Sequence, residues 1–318
     1  MVTTAAPWDS TAIRCRPCDD ADGAASSEFG VIARRRIAAG EKVWSSRDYI
    51  LSVLYTPQAA THCASCFSRS EDKVWECRRC GSFRLCAACV EDDAKRWHQL
   101  EGGECDLFCS VPAGLRRGDT DYLRFVARWF AMCKVGPPPR ALPGSKVCEA
   151  PEHIRNAVVA RAGGEGPSSR ASRALDVLAT NRALQPREYL DWCEGFAKLF
   201  GKYVAFPEGV ETSDLVDLFC RIRTNGLGFP CSDAEGTLGW SLDVNASFFN
   251  HACAPNCRVD MDEAGALVII ADEEVPEGEE LFISYVANDD RTKEERREHL
   301  FDLYRFWCAC SRCKGKKC

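Results

Sequence analysis

The chain has 318 residues, of which 46% are hydrophobic and 28% are charged, and its formal net charge is -6. These values predict a soluble globular protein with enough length for a substantial core, and the acidic balance argues against a general nucleic-acid binder. No apolar run of about eighteen residues predicts a membrane span, and the N-terminus lacks the basic and apolar regions of a secretory signal. The 21 cysteines therefore indicate reduced thiols, many of them bound to metal, in an intracellular protein of the nucleus, the cytoplasm or both.

The first segments predict a mobile start followed by short strands. Residues 1–25 are polar, and they contain Cys15 and Cys18, an isolated pair that is a weak zinc signal and favours a structural or adventitious origin. Residues 28–33 and 37–44 predict two strands joined by a tight glycine turn, which by themselves indicate a β-hairpin at a domain edge. Residues 47–54 alternate loosely and predict another strand.

Eight candidate metal ligands lie between residues 63 and 105. Each of three CxxC pairs presents two thiolates to one metal, and a tetrahedral Zn²⁺ takes four nitrogen or sulfur ligands, so the set predicts two closed, structural zinc sites. The long gap between His98 and the last cysteine keeps His62 open as an alternative to His98. Charges within the segment nearly cancel, which favours a peptide-binding or spacer role over DNA binding. The eight candidates are Cys63, Cys66, Cys77, Cys80, Cys86, Cys89, His98 and Cys105.

Residues 120–222 change to helical periodicity. One apolar face follows the spacing i, i+3, i+4, i+7, i+8, i+11, and two further amphipathic segments predict two more helices around residues 190–200 and 215–222. Prolines at 137–139 end the first helix, and the glycine-rich residues 163–169 predict a loop. The aromatic residues of these faces are expected in the core. The first face consists of Tyr122, Phe125, Val126, Trp129, Phe130 and Cys133.

The last third of the chain predicts a return to β structure and a final helix. Strands are expected over residues 240–243, 266–270 and 281–285, with a hairpin turn at 262–265. Thr292 and Glu295 form a capping box that opens a charged helix ending near Tyr304. Three cysteines then follow at a spacing too tight for ordinary core residues.

Three motifs in this part of the chain carry a resemblance to a known family. They are Asn250-His251-Ala252-Cys253-Ala254-Pro255-Asn256, Gly278-Glu279-Glu280 with Ser284-Tyr285, and Cys308-Ala309-Cys310-Ser311-Arg312-Cys313. In this order they resemble the NHxCxPN, GEExxxSY and post-SET CxCxxC motifs of SET-domain protein methyltransferases. The cysteine array of residues 63–105 is similar to a MYND finger, so the chain resembles the SET-and-MYND protein-lysine methyltransferases. It departs from them at Glu28, which replaces a glycine of the turn beside the methyl donor, at Ala252, which replaces a serine, and in two finger spacings.

The resemblance implies an α+β fold in which a β-rich SET domain is split by a MYND zinc finger and a helical insert and ends in a zinc-binding post-SET tail. Larger members carry a C-terminal helical-repeat domain, and the end of this chain at residue 318 predicts a short form without it. The implied domains are residues 1–62 (N-terminal part of the SET domain), 63–105 (MYND finger), 106–222 (helical insert), 223–290 (SET core) and 291–318 (post-SET helix and zinc motif).

The resemblance also implies roles for individual residues. Tyr285 matches the catalytic tyrosine and Tyr304 an aromatic of the lysine channel. In the finger, the first and third CxxC pairs share one zinc, and the second pair shares another with His98 and Cys105. A third zinc is implied in the tail, with Cys257 open as a competitor of Cys253. The implied residues for S-adenosylmethionine are Gly30, Asn225, Asn250, His251, Tyr285 and Phe306, and those for the third zinc are Cys253, Cys308, Cys310 and Cys313.

The implied activity is S-adenosylmethionine-dependent protein-lysine N-methylation of a histone or non-histone substrate. The alternative is a catalytically weak or inactive SET scaffold that acts as an adaptor through its MYND finger. A zinc hydrolase is disfavoured because all the predicted zinc sites are saturated by protein ligands. The expected partners are a protein or peptide that bears the lysine and a peptide at the finger. We expect no direct binding to nucleic acid or membrane, and a monomeric chain. The degree of methylation stays open.

Overall fold

The computed structural model describes residues 13–17, 29–46, 51–69, 75–91, 94–118, 120–135, 175, 178–230, 237–243, 246–262, 266–286 and 291–314. Short strands and eight α-helices alternate along these ranges, which confirms the predicted α+β class. The strands are β1 (Ile13–Pro17), β2 (Phe29–Ala33), β3 (Lys42–Ser46), β4 (Leu51–Leu54), β5 (Trp75–Glu76), β6 (Arg84–Leu85), β7 (Leu227–Pro230), β8 (Thr237–Leu242), β9 (Asn250–His251), β10 (Cys257–Met261), β11 (Leu267–Ala271) and β12 (Glu280–Ile283). The helices are α1 (Ala87–Glu91), α2 (Ala94–Gln99), α3 (Glu104–Ser110), α4 (Asp121–Val135), α5 (Arg187–Gly201), α6 (Thr212–Asn225), α7 (Lys293–Tyr304) and α8 (Ser311–Lys314).

The strands form small sheets whose order differs from the order of the chain. One sheet runs β1-β2-β12-β9, a second β10-β11-β3, and a third β4-β8-β7, while β5 and β6 pair alone. Strand β12 is antiparallel to β2 and parallel to β9. Parallel neighbours need a long crossover connection, and here that connection contains the whole β10–β11 hairpin. The two ends of the motif region are thereby brought side by side.

The predicted hairpin of residues 28–44 is wrong. The first strand forms as β2, and the second is β3, which shares only residues 42–44 with the predicted 37–44. Strand β2 pairs with β1 and β12, whereas β3 pairs with β11. The connecting residues cross between the two sheets because Ile37 bridges to Val275 and the Gly40 N–H donates to the Ala271 carbonyl. Gly40 has a φ of +81°, a left-handed turn that glycine adopts without strain. Long-range pairing therefore replaces the local pairing that the sequence pattern indicated.

Four clusters of buried side chains divide the described residues. The largest joins α4, α5 and α6 to β4 and β8, and a second lies among the three-stranded and four-stranded sheets. A third surrounds the cysteines of residues 63–105, and a small fourth joins Cys253 to α7 and the tail. Phe125, Trp129 and Phe130 are almost fully buried, which confirms the predicted apolar face of the first helix. The helical insert therefore packs directly on the third sheet.

The remaining predicted elements differ only at their ends. Residues 51–54 of the predicted strand form β4, whereas residues 47–50 lie outside the described residues. Strand β8 begins before residue 240, and the predicted capping box of Thr292 and Glu295 is present at the start of α7. Cys18, Glu28, the prolines at 137–139 and the loop at 163–169 lie outside the described residues. Among the helices of the described ranges, none combines the length and apolar character needed to cross a membrane.

Candidate active site and zinc centres

The parallel pair β9–β12 brings the two central motifs together. Phe282 pairs with Asn250 and Ile283 with His251, and the Ala252 N–H donates to the Ile283 carbonyl at 3.1 Å. Tyr285 lies two residues after the end of β12, and its backbone N–H reaches the His251 side chain, so it lies beside the loop that continues from His251. Predicted site residues separated by more than thirty positions therefore meet at one end of a short parallel ladder.

Tyr285 is held at both its backbone and its hydroxyl. Its phenol donates to the Phe249 carbonyl at 2.7 Å, and its backbone N–H donates to Nδ1 of His251 at 3.0 Å. Burial raises the pKa of Tyr285 well above that of a free tyrosine. The phenol is therefore neutral at physiological pH, and its single proton is directed at the Phe249 carbonyl, which leaves the phenolic oxygen able to accept.

Aromatic rings surround this tyrosine. Tyr304 lies with its ring centroid 4.8 Å from that of Tyr285, and Phe306 stands edge-on to Tyr285 at 6.2 Å. The Tyr304 hydroxyl donates to the Tyr285 carbonyl at 3.2 Å, and burial raises the pKa of Tyr304 to about 12. The three rings form a partly buried aromatic wall, which suits both an alkyl chain and a cationic group.

The helical insert holds the chain on which two of these rings lie. Arg223 of α6 donates to the Asp302 carbonyl at 2.7 Å, and the Asn181 side chain donates to the Tyr304 carbonyl at 3.5 Å. These carbonyls belong to the last turn of α7, whose orphan acceptors need donors from outside the helix. The insert thus caps α7 immediately before Phe306.

The polar residues of the central motifs bond mainly to each other. The Asn250 side chain donates to the Glu280 carboxylate at 2.6 Å. The Asn256 amide nitrogen donates to the Glu280 carbonyl, and its oxygen accepts from the Phe282 N–H. Asn256 and Glu280 therefore join β12 to the loop of Cys253, a role that the sequence analysis did not assign to either residue.

The tail thiols gather around Cys253. Its Sγ lies 3.8 Å from that of Cys308 and 3.5 Å from that of Cys313, and the Sγ atoms of these three residues and Cys310 lie within 4.8 Å of one another. A tetrahedral zinc with Zn–S bonds of about 2.3 Å separates its sulfurs by roughly 3.7 Å, whereas a disulfide needs about 2.0 Å. The four thiols therefore fit a zinc ion. Cys257, the competing ligand, is fully buried in the core between the sheets and is not part of this group.

Several donors face the tail thiols. His251 Nε2 lies 3.3 Å from the Cys253 Sγ, and the Cys253 N–H donates to the Cys310 Sγ at 3.4 Å. The Arg296 guanidinium of α7 faces Cys253 and Cys313, whose thiols raise its pKa, and Arg312 donates to the Cys253 carbonyl. Four thiolates around Zn²⁺ carry a net negative charge, so these N–H groups and the arginine charge stabilise the set.

The finger cysteines form two further groups that divide as the resemblance implied. Cys63, Cys66, Cys86 and Cys89 make one, and Cys77, Cys80, His98 and Cys105 make the other. The separation of Cys66 and Cys86 Sγ atoms is 3.7 Å, that of Cys77 and Cys105 is 3.6 Å, and His98 Nε2 lies 3.4 Å from the Cys80 Sγ. Both groups fit a tetrahedral zinc on the same argument. His62 bonds instead to Thr61 and the Gln58 carbonyl.

A buried ion pair lies behind His98. Its Nδ1 is 3.0 Å from a Glu104 oxygen, and the other Glu104 oxygen accepts from Arg128 of α4 at 3.1 Å. Arg128 also donates to the Ser52 carbonyl of β4 at 2.7 Å. A carboxylate behind a histidine ligand fixes its tautomer and raises its basicity. The side chains of Glu104 and Arg128 were missed by the sequence analysis, since neither has a distinctive spacing.

The two other predicted donor-binding residues, Gly30 and Asn225, lie on β2 and at the end of α6. Gly30 is on β2, paired with Arg16, one position before Val31 meets β12. The Asn225 side chain donates to the carbonyls of Ala179 and Arg221, and its own carbonyl accepts from Ser247, just before β9. Asn225 thus connects the insert to the start of the motif loop through its backbone.

Residues 28–286 match the SET domain family, and the chain belongs to that family. Among curated proteins it resembles the N-lysine methyltransferase SMYD2 of Gallus gallus, with 29% identity over 292 residues that cover 91% of this chain and 58% of that protein. The SMYD2 protein of Homo sapiens is 27% identical over 291 residues, 90% of this chain and 58% of its own length. The SET domain and MYND-type zinc finger protein 6 of Schizosaccharomyces pombe is 37% identical over 100 residues, 31% of this chain and 20% of its own length. The chain therefore spans less than two thirds of these relatives.

Solved structures also resemble the chain, and one example is similar over most of its length. It is the SET domain of LSMT bound to lysine and AdoHcy, with a TM-score of 0.42 and 11% identity, covering 94% of this chain and 53% of that one.

Proposed function

We propose that the chain is an S-adenosylmethionine-dependent protein-lysine N-methyltransferase, acting on a histone or non-histone protein. The observation that carries the proposal is Tyr285, whose phenol is fixed on the Phe249 carbonyl among the rings of Tyr304 and Phe306. Membership of the SET domain family and the likeness to proteins named N-lysine methyltransferase support it. S-adenosylmethionine supplies a methyl group on a sulfonium centre.

The residues around Tyr285 fit such a donor. Phe306 is partly buried and lies 6.1 Å from the His251 ring, so an aromatic face is available for an adenine. Aromatic walls also favour a sulfonium cation over water. We assign the backbone around Asn250 and His251, together with Gly30, Asn225 and Phe306, to holding the donor. Tyr304 is assigned to the lysine channel, and Tyr285 to both sites.

The site prepares an amine rather than removing a proton by a strong base. Free lysine has a pKa of about 10.4 and is almost entirely charged near neutral pH. An apolar aromatic channel disfavours the ammonium form, as does a neighbouring positive charge. Because the Tyr285 proton points at the Phe249 carbonyl, the phenolic oxygen can accept an N–H from the amine. That contact orients the nitrogen lone pair, and orientation of reacting atoms accounts for much of the rate enhancement in such transfers.

The test measures methyl transfer from a radiolabelled donor to a peptide or protein array. Tyr285→Phe removes the hydroxyl and keeps the ring, and we expect a loss of about 10²-fold or more in kcat, by analogy with removal of one fixed polar group from an active site. Tyr203→Phe is the matched control, since Tyr203 is 41% exposed on the insert. Donor affinity by calorimetry should be similar in all three proteins, because Tyr285→Phe keeps the ring that we assign to the donor site and removes only the hydroxyl. Equal labelling by wild type and Tyr285→Phe contradicts the assigned role, and absence of donor binding favours the adaptor alternative.

We extend the proposal to the domains and partners that the sequence indicates. The finger is assigned to residues 63–105, the insert to 106–222, the split SET domain to 1–62 and 223–290, and the post-SET segment to 291–318. The separate core around the finger cysteines supports the first boundary. A peptide at the finger, a monomeric chain and no direct binding to nucleic acid are expected, and the net charge of -6 supports the last point.

A further inference from the structure

The His251 side chain lies between the tail thiols and Tyr285. Its Nδ1 is 3.0 Å from the Tyr285 backbone nitrogen, and its Nε2 is 3.3 Å from the Cys253 Sγ. The side chain is 7% exposed, so water competes little for either contact. Both bonds join His251 to other parts of the chain, whereas the role implied for this residue by the resemblance is donor binding.

The hydrogen bonds define the tautomer of the ring. A backbone N–H can only donate, so Nδ1 must be unprotonated to accept from Tyr285. In the neutral ring the proton is then on Nε2, which donates to the Cys253 sulfur. A zinc-bound thiolate is a stronger acceptor than a neutral thiol because it carries charge.

Both partners of the ring are fixed by other contacts. Cys253 is held by the tail through the Cys310 Sγ and by Arg312 at its carbonyl. Tyr285 lies two residues beyond Ile283, which pairs with His251 across the parallel ladder. A shift of the Cys253 sulfur therefore moves the imidazole, and the imidazole holds the backbone that carries the phenol.

We propose that His251 is a positioning residue, a hydrogen-bonded link through which the tail zinc centre fixes the backbone and the phenol of Tyr285. The link rests on the proposed function for its effect on rate, but its bonding pattern does not depend on activity. Removal of a group behind a metal ligand typically changes metal affinity or activity by about 10–100-fold. The two bonds of the ring should therefore have separable effects of this size.

Two substitutions separate the bonds. Asparagine places its polar group near the position of Nδ1, so His251→Asn keeps an acceptor for Tyr285 and loses the contact with Cys253. Glutamine reaches the position of Nε2, so His251→Gln keeps a donor for Cys253 and loses the acceptor for Tyr285. His62→Gln is the matched control, because His62 is 8% exposed and lies in the finger, outside the tail group.

The measurements are zinc release to a colorimetric chelator, amide hydrogen exchange at Tyr285, and kcat and KM for a peptide. We expect His251→Gln to raise Tyr285 exchange and to lower kcat by about 10–100-fold with little change in KM, while zinc release stays slow. His251→Asn should release one zinc faster and show a smaller loss of kcat. In a double-mutant cycle that combines His251→Gln with Cys310→Ser, the effects of the two substitutions on Tyr285 exchange should be non-additive, since both break the same link.

Nitrogen-15 NMR of the wild-type imidazole tests the link without any variant. A protonated Nε2 and an unprotonated Nδ1 are expected, and a protonated Nδ1 overturns the proposal. So does additivity in the cycle, or a Tyr285 exchange rate that His251→Gln leaves unchanged. If no substrate is methylated while the tautomer and the exchange pattern hold, the proposed function fails and the link stands. If a substrate is methylated while the ring has the opposite tautomer, the proposed function stands and the link fails.

Discussion

The finger and the tail hold metal in different ways. Both finger groups are complete within residues 63–105 and share one small core. The tail group instead joins Cys253, in the loop between β9 and β10, to three cysteines after α7. A metal that ties distant segments restricts a much longer loop of chain than one that folds a local module. We therefore expect zinc in the finger groups to stabilise a module, and zinc in the tail group to close the candidate active site.

The finger is nevertheless not isolated from the rest of the molecule. Glu104 bonds to the finger ligand His98 on one side and to Arg128 of the insert on the other, and Arg128 reaches the Ser52 carbonyl of β4. A buried ion pair of this kind is sensitive to the loss of either partner. The comparison thus predicts a strong and direct effect of the tail metal on Tyr285, and a weaker effect of the finger metals through packing.

The largest effect should come from breaking the tail group. Cys310→Ser removes one ligand of four, and structural zinc contributes about 10–16 kcal/mol to the folding of small modules. We expect the zinc content to fall from three ions to two and methyl transfer to drop by more than about 10³-fold, since both Tyr285 and Phe306 lose their anchor. Metal analysis by mass spectrometry and the labelled-donor assay measure the two changes.

Cys133→Ser is the control for that experiment. Cys133 is a partly buried cysteine of α4 outside the three groups, so three zincs and near wild-type transfer are expected. A Cys310→Ser protein that binds two zincs and still transfers methyl groups at the wild-type rate shows that the tail metal does not order the site.

Breaking the first finger group should have a smaller effect on transfer. Cys86→Ser again lowers the zinc content from three to two, but this group lies in the small core of the finger, away from Tyr285. We expect the finger to unfold locally, visible as rapid amide exchange over residues 63–91, with transfer reduced by only about tenfold. A loss of transfer as large as that of Cys310→Ser contradicts the distinction between metals that fold a local module and a metal that joins distant segments.

The spacing of the finger cysteines was enough to predict two zinc sites, because zinc ligation leaves a regular pattern in the sequence. The division of the ligands into groups, the tail group and the meeting of Tyr285, Tyr304 and Phe306 were implied only by the family resemblance, and the structure brings these residues together. The periodic faces of α4 and α6 also gave the helices and the buried residues.

The features that the sequence did not reveal depend on contacts between distant segments. The pairing of β2 with β12 and of β3 with β11 replaced a local hairpin. Glu104, Arg128 and Arg296 are ordinary charged residues in the sequence. Their roles in supporting the zinc ligands become visible only when they are seen to pack against the finger and tail groups. The carbonyl of Phe249 has no sequence signal at all, because any residue provides one.

Glu104→Gln sharpens the comparison at the second finger group. Glutamine keeps the shape but removes the charge that faces both His98 and Arg128. We expect a decrease of about 3–5 kcal/mol in the free energy of unfolding, because the arginine, whose side chain is only 12% exposed, loses its carboxylate partner. Zinc affinity of this group should weaken by about 10–100-fold, while transfer below the new melting temperature changes only a few-fold. Denaturant unfolding, chelator competition and the transfer assay measure these quantities.

The exposed pair of Arg187 and Asp191 provides the control for Glu104→Gln. Asp191→Asn removes a carboxylate whose partner lies on the surface, and such pairs contribute at most about 1 kcal/mol. Equal destabilisation by the two substitutions is the outcome that rejects a special role for the buried carboxylate.

The smallest effect concerns the pH dependence of transfer. Burial raises the pKa of Tyr285 above its ordinary value of about 10, so the phenol keeps its proton at pH 10. In the same range a rising fraction of substrate lysine becomes neutral. We therefore expect initial rates to rise from pH 7 to about pH 10 without a falling limb from the tyrosine.

The raised pKa stabilises the fold below the unfolded-state value of about 10, and this contribution is lost as the pH rises through the folded value. Rates are therefore compared only up to about pH 10, and circular dichroism checks that the protein stays folded. A falling limb near pH 10 in wild type that is absent in Tyr285→Phe would show that this phenol is exposed to water, and that the aromatic wall does not enclose it.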